Sequence, residues 1–357
     1  MFLLKHKLQI DICQQGFTIK SYFFYARWVT MILYLMEKNY ARVCVINAPC
    51  KINLHLSVGQ RRGDGFHGIE SIFVPLALSD TLHFERCGAG EDTLSVRWET
   101  AEQPIASEEN LVAKAVALFR SRTDFAPALR IRLDKRIPAG AGLGGASSDA
   151  ASTLLAMNQL AGQPLCADEM REMAAVLGSD VPFFLSNGAA FVSGRGERVE
   201  SVKPPEDLWV LLVKPPFSSD TAAAYRLLDE ARERASAGQK FSKEQFAKDK
   251  LANDKLPKEV LSRALCSPPQ NWPFSNDFLP MFLAQGGEQS AAYRAILEEL
   301  RNAGALFTGL SGSGSCCFGI FDSQKTIKNA KNALSCSKND VILTFFLAQE
   351  PNSVVKY

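Results

Sequence analysis

Apolar and polar positions change period several times along the chain, and each change marks an element. Val43–Val58, "VCVINAPCKINLHLSV", is rich in β-branched residues and reads as one or two strands bent at Pro49. Gly63-Asp64-Gly65 supplies turn chemistry, and "ESIFVPLALSDTLHFE" resumes the strand pattern. In "SEENLVAKAVALFRSR" the apolar residues Leu111, Val112, Ala115, Val116, Leu118 and Phe119 recur at helical spacing, predicting an amphipathic helix capped by Ser107. "ALRIRLDKRI" alternates Leu129, Ile131 and Leu133 with Arg130, Arg132 and Asp134, a half-buried strand. Helices are predicted in "DAASTLLAMNQLAG" and over 168–178, and a hairpin in "GAAFVSGRGERVE".

Pro204-Pro205 reads as a domain boundary. Beyond it come a buried strand, "LWVLLVKPP", a helix over 220–235, and a polar, Lys-rich insertion at about 236–272 that reads as a solvated helical segment. "SAAYRAILEELRNAGA" is a helix ending at Gly304, and "LFTGLSGSGSCCFGIF" joins a Ser/Gly loop to an apolar strand. Strands and helices mix without a regular βαβ rhythm or an internal repeat. The organisation expected is an extension at 1–40, one domain at 41–204 and a second at 205–357.

The first forty residues stand apart. "FFYARWVTMILYLM" is apolar but holds Arg27 and is shorter than the ~20 residues a spanning helix needs. No small-residue cleavage site follows it. The reading favoured is that Met31 or Met36 begins the folded chain, the alternative being a peripheral membrane contact. The 40 Lys and Arg balance 38 Asp and Glu, which argues against a polynucleotide groove. Nine cysteines without a C-x-x-C pair fit free thiols in a reducing cytoplasm, not a disulfide framework or zinc site.

"PAGAGLGGASSDAA", Pro138–Ala151, carries the chemistry. Its G-x-G-x-x-G spacing alone fits three loops. A dinucleotide fold wants the loop after a domain's first strand, but several strands precede it here. A Walker A loop wants Gly-Lys-Ser/Thr after the glycines, and there is none. What fits is a glycine-rich loop opening a helix, whose unpaired N–H groups and dipole attract phosphate. A plain helix cap after a tight turn is the bland alternative.

This stretch resembles the second motif of the GHMP kinases. "APCKINLHLSVGQRRGDGFHGIESIF", "LGSDVPFFL", "KPPFSSDTAAAY", "FSND" and "LSGSGS" follow the same resemblance in order over some three quarters of the chain. They narrow it to the branch that phosphorylates the 2-hydroxyl of a cytidine-diphosphate polyol in the non-mevalonate route to isoprenoid precursors. The resemblance implies an α+β fold: an N-terminal ribosomal-S5-domain-2-like domain, a C-terminal ferredoxin-like α/β domain, and an active site in the cleft between them.

By resemblance Lys51 and Asp180 are the catalytic pair. ATP is held by Pro138, Ala139, Gly140, Ala141, Gly142, Leu143, Gly144, Gly145, Ala146, Ser147 and Ser148, with Asn110 and Lys135 around adenine and Ser148 as a ligand for Mg2+. Asn53, Phe66, His67 and Tyr225 face the acceptor, and His55 is a weaker candidate. Phe66 stands where the family has a Tyr, so base stacking is expected to survive without the phenol's hydrogen bond. "FSND" has no role in this reading beyond capping the next helix. Each assignment has a bland counterpart: Lys135 a solvated charge, Asn110 a helix end, Asp180 a cap, Phe66 and Tyr225 core packing. ATP and the polyol are the expected partners of a cytoplasmic monomer or homodimer, without nucleic acid or membrane. Other expectations kept open are a mevalonate- or homoserine-type kinase, a silent nucleotide-binding homologue, and a nucleic-acid module on the S5-like fold.

Overall fold

A computed structural model describes residues 42–88, 90–99, 110–186, 188–236, 256–335, 339–347 and 355–356. The expected N-terminal extension, Ser107 and residues 237–255 of the insertion lie outside them.

Two sheets organise the described chain. The first contains β1 (Val43–Arg61), β2 (His67–Arg86), β3 (Thr93–Trp98), β4 (Leu129–Lys135), β5 (Ala190–Gly194), β6 (Arg198–Ser201) and, from the chain's far end, β11 (Val355–Lys356). Its main path runs β11-β1-β2-β4-β3, with β5 paired to the other half of β2 and β6 to β5. The second is an antiparallel sheet of β7 (Trp209–Lys214), β8 (Phe307–Leu310), β9 (Cys317–Phe321) and β10 (Asp340–Phe345), ordered β10-β7-β9-β8. β3 had no counterpart among the predicted strands, although Leu94, Val96 and Trp98 alternate; it lies parallel to β4 at the sheet edge.

Helices α1 (Leu111–Arg122), α2 (Gly145–Leu160) and α3 (Ala167–Leu177) belong to the first half, and α2 packs on β1 and β2. In the second half follow α4 (Thr221–Ser236), α5 (Lys258–Ala264), α6 (Phe278–Ala284), α7 (Gly287–Asn302) and α8 (Gln324–Leu334). Asn110 caps α1 by accepting from the Val112 N–H at 2.9 Å.

β1 is one strand, not two, and Pro49 bends it without ending it. Its even-numbered residues from Cys44 to Val58 are apolar, yet they feed two cores. Cys44, Ile46, Ala48, Leu56 and Val58 join the core beneath α2, while Cys50, Ile52 and Leu54 face Val210, Leu212, Phe318 and Ile320 of the second sheet. Register shifts against β2 at Pro49/Cys50 and Asn53/His55 allow the change of partner, because a bulge bends and twists a strand. The middle of β1 is therefore buried on both faces, polar side chains included.

The end of the insertion is not a solvated helix. Leu261, Leu265 and Trp272 are buried in the second core. The Trp272 ring lies 5.2 Å from Phe274 and 5.5 Å from Phe307, and its Nε1 donates to the Ser267 carbonyl at 2.9 Å. The Lys-rich composition upstream conceals these apolar anchors.

Lys135 is likewise no surface charge. It is buried between Asp80 and Asp149, pairing with Asp149 at 2.7 Å and with Asp80. Asp80 also accepts from the Arg136 and Ile137 N–H groups at 2.6 and 2.8 Å, so the cluster ties β2 to β4 and to α2. One ammonium serves two carboxylates. Burial pushes the Asp149 carboxyl up to about 7, Lys135 opposes that and Asp80 adds to it.

This packing fixes the stability expected of three variants. Trp272→Ala costs about 3–5 kcal/mol in urea denaturation, as for a core aromatic; a solvated insertion would lose almost nothing. Lys135→Met costs about 3–5 kcal/mol, since it strands two buried carboxylates. Asp149→Asn costs much less, because Asp149 is the surplus acid.

Candidate active site

The glycine-rich loop enters α2 through Gly144, which has φ 72° and stands at the helix cap. A Cβ there would sit 3.1 Å from Lys51 Cε and 3.0 Å from Phe184 Cζ, so the residue is glycine for space as well as for backbone. No side chain caps α2, which leaves its first N–H groups without a side-chain acceptor. Anions are favoured there by both the open donors and the helix dipole.

Lys51 joins this loop directly. Its backbone N–H donates to the Leu143 carbonyl at 2.9 Å. Its Nζ lies 3.3 Å from Asp180 Oδ2 and donates to Asn53 Oδ1 at 2.7 Å, with the Phe73 ring 4.5 Å beneath. Asn53 passes the chain on to Ser71 Oγ at 3.0 Å, and Ser71 donates to the His55 carbonyl. The Lys51 side chain is only 4% exposed, whereas that of Asp180 is 30% exposed, so the cation is held and the carboxylate meets solvent. A buried ammonium is tolerable only with such partners.

Asp180 is placed by a stop and a wedge. Gly178 ends α3, the Val181 N–H closes a turn on the Gly178 carbonyl at 3.2 Å, and a short 3₁₀ turn, Pro182–Leu185, follows. Phe183 and Phe184 anchor that turn, Phe183 meeting Phe73 edge-on at 5.1 Å. The Asp180 side chain does not cap the turn, which opens at Val181 without a side-chain cap.

A second loop, Ser311–Ser315, closes on the first. Ser311 Oγ donates to the Gly142 carbonyl at 2.9 Å, and the Cys316 N–H to the Ala141 carbonyl at 3.2 Å. Any Cβ on Gly142 would collide with the Ser311 carbonyl oxygen. Ser219 fastens the pair: its N–H donates to the Gly140 carbonyl at 3.1 Å and its hydroxyl to the Ser313 carbonyl at 2.6 Å. Ser71, Ser219 and Ser313 were not singled out in the sequence. All three lie inside quoted motifs, but nothing local says which serine turns inward.

Of the residues expected to face the acceptor, Phe66 is exposed, with the Arg195 guanidinium 3.8 Å over its ring. His67 is engaged within the protein: Nδ1 faces the Gly59 carbonyl at 3.0 Å and Nε2 lies 3.3 Å from Asp229. Both ring nitrogens therefore have partners within the protein. Tyr225 packs 5.0 Å from His67 and meets Phe278 edge-on at 5.0 Å. Burial and then Asp180 push its hydroxyl up to about 12. His55 is buried beside Phe274, and its Nδ1 accepts from the Ser275 N–H at 3.2 Å. Asn110 and Lys135 both have internal partners, as given above.

Ser148, fully buried in the first turn of α2, has a hydroxyl with no hydrogen-bond partner among the described residues. Among those residues no three His, Cys, Asp or Glu side chains gather as a metal cage. Mg2+ held chiefly by substrate phosphates needs none, and an unpartnered hydroxyl beside the phosphate loop suits it.

Comparison with known proteins agrees with this geometry. The model for the GHMP kinases N terminal domain matches residues 110–188, and that for the GHMP kinases C terminal matches 270–340. A 4-diphosphocytidyl-2-C-methyl-D-erythritol kinase of Treponema pallidum is 35% identical over 81% of this chain and 94% of its own length. A namesake from Protochlamydia amoebophila is 44% identical over 51% of this chain and 62% of its own. A solved 4-(cytidine 5'-diphospho)-2C-methyl-D-erythritol kinase superposes with a TM-score of 0.64 at 29% identity, covering 84% of this chain and 99% of that one. Mevalonate kinase shares the fold alone, at 13% identity and a TM-score of 0.56. No helix among the described residues is long and apolar enough to cross a membrane. With two GHMP kinase domains and a 35% identical relative matched over 94% of its length, the chain belongs to the 4-diphosphocytidyl-2-C-methyl-D-erythritol kinase family.

Proposed function

We propose that this protein transfers the terminal phosphoryl group of ATP to the 2-hydroxyl of 4-diphosphocytidyl-2-C-methyl-D-erythritol. The observation that carries the reading is the Lys51–Asp180 pair at 3.3 Å, tied to the phosphate loop by the Lys51 N–H bond to Leu143. The acceptor hydroxyl gives its proton to the half-exposed Asp180. A new oxygen–phosphorus bond forms, the bond to the β-phosphate oxygen breaks, and ADP leaves with its electron pair. The reaction asks little of its base, because its transition state is loose and depends mainly on alignment and charge neutralisation.

Lys51 holds Asp180 and faces the transferred group, while the N–H groups at the start of α2 receive the phosphates. Mg2+, with Ser148 among its ligands, would neutralise charge on those phosphates. Asn53, which fixes the Lys51 ammonium, is assigned to the acceptor. The exposed Phe66 ring with Arg195 over it is an aromatic platform with a cation alongside, suited to a flat base that carries a diphosphate. Tyr225 borders the same region between His67 and Asp180. The seven described cysteines are all free, in keeping with a reducing compartment such as the cytoplasm.

Lys51→Ala and Asp180→Ala should each lower kcat by about 10²–10⁴-fold in an ADP-release assay, with ATP affinity by calorimetry near that of the unaltered protein. Full activity in either variant would refute these roles. Phe66→Ala should raise the KM for the cytidine substrate by about 5–150-fold, the value of one lost base stack, and leave the KM for ATP unchanged. An unchanged KM for the cytidine substrate would remove Phe66 from its site.

A further inference from the structure

Phe274–Asp277, the "FSND" stretch, takes no part in the transfer step, yet it lies against the strand that carries Lys51. The Leu56 N–H donates to the Ser275 carbonyl at 2.8 Å, and the Asp277 N–H donates to the Leu56 carbonyl at 3.0 Å. Asn276 thereby forms a parallel bridge with Leu56, beside the bulge in β1. The Val58 N–H donates to the Asp277 carboxylate at 2.8 Å, and Arg232 lies 3.5 Å from the same carboxylate while donating to the Val58 and Gly59 carbonyls.

Asn276 is buried at the centre of this stitch. Its Nδ2 donates to the carbonyls of Leu310 and Gly312, each at 2.8 Å, and its Oδ1 accepts from the Phe278 N–H at 2.9 Å. Turning the chain into α6 needs only the last of these bonds, a local side-chain to backbone contact that Asp would make as well. Two donors and an acceptor on one short side chain are what an amide alone supplies. The segment Asn276 holds leads straight into the closing loop. A Cβ on Gly312 would lie 3.1 Å from the Gly142 carbonyl oxygen and 3.6 Å from Asn53 Oδ1, the atom that accepts from Lys51.

We propose that Asn276 is a positioning residue for phosphoryl transfer: it fixes the Ser311–Ser315 loop against Gly142 and so sets the terminal phosphate relative to Lys51 and Asp180. This rests on the kinase reading above. The residue acts through the loop and touches neither substrate.

The test compares steady-state kinetics and Tm for the unaltered protein, Asn276→Asp, Asn276→Ser and Ser290→Ala, with ATP and 4-diphosphocytidyl-2-C-methyl-D-erythritol. Asn276→Asp keeps the volume and the acceptor for the Phe278 N–H but replaces two donors with an acceptor facing two carbonyls. Its kcat should fall on the order of 10²-fold, as for a misplacement of ~1 Å, with the KM for the cytidine substrate unchanged. Asn276→Ser, which keeps one donor, should recover part of that loss. Ser290 donates its buried hydroxyl to the Leu283 carbonyl at 2.8 Å, so Ser290→Ala should lower Tm and leave kcat alone. Unaltered kcat in Asn276→Asp, or an equal kcat loss in Ser290→Ala at equal Tm, overturns the proposal. If Asn276→Asp does not fold, Asn276→Ser decides: reduced kcat at constant KM supports positioning, and full kcat overturns it. A protein without substitutions that fails to turn over the cytidine compound would instead sink the kinase reading on which the proposal stands.

Discussion

A buried ammonium organises this molecule. Lys51 sits in the middle of β1, shielded from water on both faces of the strand, and its charge must be met inside the protein. Asp180, Asn53 and the Phe73 ring meet it, and the backbone of the same residue reaches the phosphate loop. Placing one side chain therefore brings together four segments far apart in sequence. The aromatic wedge that carries Asp180 and the serine under Asn53 read as supports for that single charge.

The two glycine-bearing loops solve a different problem. Phosphate needs backbone N–H groups at close range, and side chains would hold the ligand away. The same bareness lets Gly142 lie against Ser311 and Gly144 against Lys51. Serine hydroxyls replace bulk as fasteners, each donating to a carbonyl of the opposite loop or its support. The two loops are thus joined by short polar contacts, while Ala141 and Leu143 of the first pack into the second core.

Buried charge recurs away from the cleft. Lys135 between Asp80 and Asp149 braces the strand and helix on either side of the phosphate loop, and one cation for two acids leaves Asp149 as the proton-binding member. His67, Asp229, Arg232 and Asp277 similarly fasten the β1–β2 hairpin to α4 and the "FSND" stretch. Both arrangements spend charge on geometry at positions where apolar residues would pack but could not fix direction.

Much was legible in the chain itself. Period-2 and period-3.6 patterns marked most strands and helices, because a half-buried element writes its exposed face into the sequence. The loop before α2 announced its chemistry through residues that only a close backbone approach explains, and the Lys51 and Asp180 motifs stood out by resemblance. Tertiary structure decided the rest. Alternation in β1 could not reveal that two register shifts send its even-numbered residues into different cores. A Lys-rich insertion hid Leu261 and Trp272, and the ring nitrogens of His67 proved to be engaged within the protein. Local sequence records which way a residue faces relative to its own element; whether that face meets water, a ligand or a charged partner depends on segments that arrive from elsewhere in the chain.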